Sequence, residues 1–124
     1  MALHQLGEVA HREDDAAEAV RLVGAALALR RDVGDREDLA ISLEALAGLV
    51  AADDGGLAAR LFGADETLRA RHRLPQPAGR DVAVARLKST VDDRVLATAW
   101  AAGQSAPLDS VVDEALDRVA AYRS

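Results

Sequence analysis

The sequence predicts an all-α fold, an α-solenoid of about seven helices stacked as hairpins. Three observations lead there. The first is composition: of 124 residues, 28 are Ala, three are aromatic and three are Pro, with no proline before Pro75. Alanine has the highest helix propensity and lets helices approach closely. The second is punctuation, because apolar residues recur at helical spacing between capping residues and Gly or Pro breaks. The third is an internal repeat, RLVGAALALR at 21–30 and RLFGADETLR at 60–69, offset by 39 residues. A chain of this length suits one domain and buries roughly two-thirds of its unfolded surface.

The first helix is expected from Ala2 to Arg12, with Leu3, Leu6, Val9 and Ala10 at helical spacing. Asp15 then reads as an N-cap, with Glu18 three residues on as in a capping box. The second helix is expected from Ala16 to Val33, presenting Ala19, Leu22, Val23, Ala26 and Leu29. Gly34 closes it in the left-handed conformation and Asp35 caps the next. The third helix covers Arg36 to Ala52 with Ala40, Leu43, Leu46, Ala47 and Val50 inward. Asp53-Asp54-Gly55-Gly56 is a turn, and the fourth helix covers Leu57 to Arg73. Leu74-Pro75-Gln76-Pro77-Ala78-Gly79 stops it and marks the main internal boundary. The fifth helix, Arg80 to Val91, turns Val84, Leu87 and Val91 inward. Asp92 or Asp93 caps the sixth, Arg94 to Ala102, which ends at Gly103. Pro107 suits the first turn of the seventh, which runs to about Tyr122.

Extended back by two residues, the two repeat copies share seven of twelve positions: Ala19/Ala58, Arg21/Arg60, Leu22/Leu61, Gly24/Gly63, Ala25/Ala64, Leu29/Leu68 and Arg30/Arg69. Leu3 and Leu6 match Leu43 and Leu46 at offset 40. The chain thus divides into two hairpins, 1–34 and 35–74, and a three-helix closing unit, 79–124, within one continuous domain. A lone hairpin cannot bury its apolar face, so the copies stack. A mid-helix Gly costs about 1 kcal/mol relative to Ala. Its use at matched positions predicts close approach of the hairpin partner over Gly24-Ala25 and Gly63-Ala64. A phosphate cradle is not expected there, because backbone N–H groups inside a helix are already used.

Leu3, Leu6-Gly7, Ala10, Ala19, Val23 and Ala26 follow the small/large pattern of a tetratricopeptide repeat, without its usual aromatics and with a longer period. ALALRRDVGDREDLAISLEALAGL followed by AARLFGADETLR resembles the C-terminal helical repeats of LuxR-type transcriptional regulators and related ATPase- or cyclase-linked proteins of high-GC bacteria. ATAWAAGQ followed by PLDSVVDEAL is similar to the segment that closes that array. The resemblance implies a tetratricopeptide-like, non-enzymatic regulatory module, part of a longer regulator. It would bind a protein partner, hold neighbouring domains or sense an effector. ATP and DNA binding would belong to other parts of such a regulator, since this chain has no GxxxxGK[ST] loop and no basic recognition helix.

Charge agrees with that assignment. The net charge is −6, and no third of the chain is basic. A phosphate-neutralising surface is therefore not expected, and three aromatics cannot form a base-stacking platform. The absence of Cys removes disulfides, thiolate metal sites and Cys nucleophiles, and suits a cytoplasmic location. No apolar stretch is long enough to span a bilayer, so no membrane association is expected. No cofactor is expected either.

The residues singled out for partner binding are His4, Glu8, His11 and Arg12 on the first helix and Glu44 at the matching position of the second hairpin. His4, Glu8 and His11 share a helix face and carry zinc-ligating groups, which makes a metal-dependent helical enzyme a lesser alternative. Arg21/Arg60 and Arg30/Arg69 read as a solvated face with ion pairs of small value. Trp100, the only Trp, reads as a core plug. The main rival function is a small-molecule sensor with a cavity near Trp100, and a homodimer is a further expectation.

Overall fold

The computed structural model describes residues 8–33, 36–75 and 79–121, with side chains described from residue 17 onward except at 33. These residues form six helices and no strand: α1 (Glu8–Val33), α2 (Arg36–Val50), α3 (Gly55–His72), α4 (Arg80–Thr90), α5 (Asp93–Ser105) and α6 (Leu108–Ala120). Among them no helix is long and apolar enough to cross a membrane.

Side-chain caps act at two starts, Asp92 as expected and Asp54 ahead of a helix that begins at Gly55, inside the expected turn, rather than at Leu57. Asp54 caps α3 by accepting from the Leu57 N–H at 3.0 Å. Asp92 caps α5 by accepting from the Arg94 and Val95 N–H groups at 3.1 and 3.4 Å. Each side-chain oxygen satisfies donors that the first helical turn leaves orphaned. Arg73 ends α3 in the left-handed region at φ 56. The expected caps Gly34 and Asp35 lie outside the described residues.

The expected break at Asp15 does not occur, because α1 runs unbroken through it. HREDDAAEAV holds neither Gly nor Pro, and an acidic residue inside a helix costs only a few tenths of a kcal/mol. The expected turn between the first two helices is thus absent, and the described residues hold six helices where seven were expected. Gly103 likewise lies inside α5 rather than ending it.

At the centre lies α3, which packs on α2, α4, α5 and α6, while α1 lies against α2 and α6. Leu57, Ala58, Ala59, Leu61, Phe62, Gly63, Ala64 and Asp65 are all buried, so the first half of α3 is covered on nearly every side, while Ala70, Arg71 and His72 at its end are exposed. By contrast α6 buries only Val111, Val112 and Ala115. On α1, Val20 and Leu27 reach the core, while Leu22 and Leu29, expected inward, are 61% and 55% exposed. Two positions along a helix are about 200° around it, so the choice of Val20 and Leu27 turns Leu22 and Leu29 outward.

Gly24 lies on the same inward face as Val20 and Leu27. A Cβ there would lie 2.7 Å from Val119 Cγ1 of α6. Gly63 meets α5, where a Cβ would lie 3.0 Å from the Trp100 carbonyl carbon and 3.2 Å from Gln104 N. Gly103 returns the contact, with a Cβ 2.7 Å from the Arg60 carbonyl carbon. Both repeat glycines therefore serve close packing, but not with the expected partners: Gly24 meets α6 rather than the first helix of its hairpin, and Gly63 meets α5 rather than α2.

Candidate functional site

The two copies of the repeated motif lie on α1 and α3, on either side of α2. Their final arginines both reach toward α2. Arg30 Nε lies 3.4 Å from Asp38 Oδ2 at the surface. Arg69 lies 3.8 Å from Glu44 Oε2 with its own side chain only 4% exposed. The second copy is buried because α3 is the covered helix, so the expectation of a solvated arginine face fails at Arg69. The first pair differs in partner rather than in burial, with Arg21 37% and Arg60 31% exposed. Arg21 meets Glu18 one turn away, whereas Arg60 grips Glu114 of α6 through two guanidinium N–H groups.

Around Arg69 the chain gathers a buried ionic cluster. Arg69 Nε donates to Asp65 Oδ1 at 2.9 Å, one turn back on α3, and Nη1 donates to the Pro75 carbonyl. Arg80, the first residue of α4, enters from the other side. Its Nε lies 3.7 Å from Glu44 Oε2 and 3.8 Å from Asp65 Oδ2, and its Nη2 lies 3.8 Å from Glu66 Oε2. Its guanidinium carbon lies 5.6 Å from the centre of the Trp100 ring, a cation–π distance. Trp100 stacks on Phe62 with centroids 5.8 Å apart and donates Nε1–H to Glu66 Oε1 at 2.9 Å. Gln104 donates to the same oxygen at 2.6 Å. Trp100 is thus tied into the core as expected, and it also borders a cleft.

Three carboxylates, Glu44, Asp65 and Glu66, meet two guanidiniums, so the cluster has one negative charge in excess. Burial raises the Glu44 carboxyl to about 7, aided by its hydrogen bond with Asp65 and by the Asp65 charge, and opposed by Arg69 and Arg80. Burial also raises Asp65, against the lowering pull of Glu44, Arg69 and Arg80. Glu44 Oε2 and Asp65 Oδ2 are buried acceptors without a donor. A proton held between them turns two acceptors into a donor–acceptor pair and removes the excess charge.

The cleft lies between α4 and α5 and has a volume of about 590 Å³. Arg80, Val84 and Lys88 form one wall, Leu96, Ala97 and Trp100 the other, with Glu66, Asp81 and Asp93 around them. This is the size of a small-molecule site.

Of the residues expected to bind a partner, Glu44 stands in the ionic cluster, 13% exposed, and not on an open face. Its match to the polar stripe of the first helix marked it, but burial against Arg69 and Arg80 assigns it an internal role. His4 lies outside the described residues. Glu8, His11 and Arg12 fall on α1 at spacings that share a face, with side chains outside the described set. Among the described residues no group of three or more His, Cys, Asp or Glu is placed to hold a metal ion. Ser89 and Ser105 donate to the carbonyls of Arg86 and Ala101, at 2.7 and 2.8 Å. Sequence reasoning missed Asp65 and Arg80. Asp65 lies within the repeat, where the first copy has Ala26, and that replacement of Ala by Asp was the available signal.

No family model, curated protein or solved structure matches this chain.

Proposed function

We propose that this chain is a non-enzymatic, tetratricopeptide-like helical-repeat module of a LuxR-type or ATPase-linked bacterial transcriptional regulator. It would act in the cytoplasm by engaging a protein partner or neighbouring domains. The observation that carries this reading is the equivalence of the two motif copies. Each lies on a helix flanking α2, each seats its glycine under a neighbouring helix, and each extends its last arginine toward an α2 carboxylate. Stacked equivalent helices are the construction principle of a solenoid. The continuous α1 departs from a hairpin, so the partner surface is sought on the residues that share its N-terminal face, Glu8, His11 and Arg12, together with His4. Partner binding should fall when these four are changed to Ala. Unchanged binding by a variant whose circular dichroism matches the parent would sink this assignment.

A second reading, an effector-sensing helical domain, is supported by the cleft beside Trp100. A ligand there touches α4 and α5 at once and can alter how the closing helices sit on α3. The reading predicts a saturable change in Trp100 fluorescence on ligand addition.

A further inference from the structure

We propose that the outward stripe of α1, formed by Leu22, Ala25, Ala26 and Leu29, is a homodimer interface on which α1 of a second molecule lies antiparallel. The stripe lies C-terminal to His4, Glu8, His11 and Arg12, the residues proposed for a protein partner. The internal repeat identifies it as a face that a helix covers. Leu22, Ala25 and Leu29 of the first motif match Leu61, Ala64 and Leu68 of the second. The second set is 0%, 5% and 5% exposed. Ala64 and Leu68 share a crevice with Gly103 and Gln104 of α5 and with Leu108 of α6. In the first set Leu22 and Leu29 are 61% and 55% exposed, and Ala25 is exposed too. Helix α1 turns Val20, Gly24 and Leu27 inward, toward α2 and α6. Among the described residues no helix covers the stripe.

The stripe is complementary to itself. It reads Leu-x-x-Ala-Ala-x-x-Leu, the same in both directions. A two-fold axis between Ala25 and Ala26 sets Leu22 of each molecule on Leu29 of the other, with every contact made twice. Alanines at the crossing let the two helices approach closely. The second motif breaks the pattern, with Asp65 in place of the second alanine, and its stripe is covered from within. Charge fits the same arrangement. Arg21 and Asp32 flank the stripe on one side, about 20° apart around the helix. Arg30 lies on the other flank and reaches Asp38. Antiparallel packing brings Arg21, beside its own Glu18, to the exposed Asp32 of the second molecule at both ends. A parallel pair would set Glu18 and Asp32 on their own counterparts. One helix pair is a small contact, below the roughly 800 Å² per partner of a standard interface, so the expected dissociation constant is on the order of 10–100 μM.

The test is sedimentation equilibrium of the whole chain from about 5 to 500 μM, a range that brackets the dissociation constant of so small an interface. The mass should rise from 13.0 kDa toward twice that value. The Leu22→Glu/Leu29→Glu double variant, altered only at exposed positions, should stay monomeric throughout with the circular dichroism of the parent. Cross-linking reads the register without relying on that variant, because the chain has no Cys of its own. Ala25→Cys lies beside the two-fold axis and should form a covalent dimer on mild oxidation at the upper concentration. Leu22→Cys should not, since antiparallel packing holds the two positions about 10 Å apart along the helices. A parent chain that is monomeric at every concentration overturns the proposal. So does a dimer that persists in the folded double variant, and so does cross-linking through Leu22→Cys.

Discussion

Gly63 and Gly103 sit where α3 and α5 cross, and each faces backbone of the other helix. Backbone cannot rotate away as a side chain can, so Gly63→Ala should lower stability by about 1–3 kcal/mol. Gly48 is the internal control, since nothing lies within 4 Å of a Cβ placed there. Gly48→Ala should raise stability by about 0.5–1 kcal/mol through helix propensity. Thermal denaturation of the two variants checks both signs. Arg69→Met should cost about 3–5 kcal/mol in denaturant titrations, because it removes the buried donor to Asp65 Oδ1 and to the Pro75 carbonyl. The close-packing role of the repeat glycines was legible from their recurrence. The role of Arg69 was not, because Arg30 occupies the same motif position with a side chain 38% exposed, against 4% for Arg69. One letter in one motif has two environments, set by whether the helix beneath it is covered.

Between elements, the cluster formed by Glu44, Asp65, Glu66, Arg69 and Arg80 joins α2, α3 and α4. It confers position more than strength, since well-packed apolar side chains often stabilise as much as a buried ion pair. It also makes stability depend on pH. Glu44 titrates at about 7 in the fold, against an ordinary value of 4.5. The folded state therefore keeps a proton that the unfolded chain releases. The associated stability is present in full below about 4.5 and is lost as pH rises through about 7. Asp65, raised as well, contributes with the same sign. Denaturant midpoints across this range should fall with rising pH, and Glu44→Gln should fall less. Equal slopes in the two proteins would show that Glu44 does not hold the proton. The helix starts at Asp54 and Asp92 were legible because a cap acts within one turn. The continuity of α1 through Asp15 was not, because a capping residue signals a start without compelling one.

Over the whole molecule, stability is unevenly distributed. Helix α3 buries Leu57, Ala58, Ala59, Leu61 to Asp65, Leu68 and Arg69, whereas α4 buries only Arg80, Val84 and Leu87. Local opening should begin at α4, where few apolar contacts oppose it. Native-state hydrogen exchange should therefore show α4 amides exchanging before those of α3. Protection of α4 equal to that of α3 would mean that the ionic cluster holds it as firmly as the core holds α3. Such an opening would widen the cleft beside Trp100. By itself, the sequence determined that the chain is helical, where most helices start and stop, and that its repeated glycines mark close packing. These features depend on propensities, caps and breaks acting over a few residues. Only the tertiary structure decided that α3 is central, that α1 turns Val20 and Leu27 inward, and that Glu44, Asp65, Arg69 and Arg80 share one buried site. Those outcomes depend on which helix covers which, a competition among distant segments for the same apolar surface that short-range patterns do not encode.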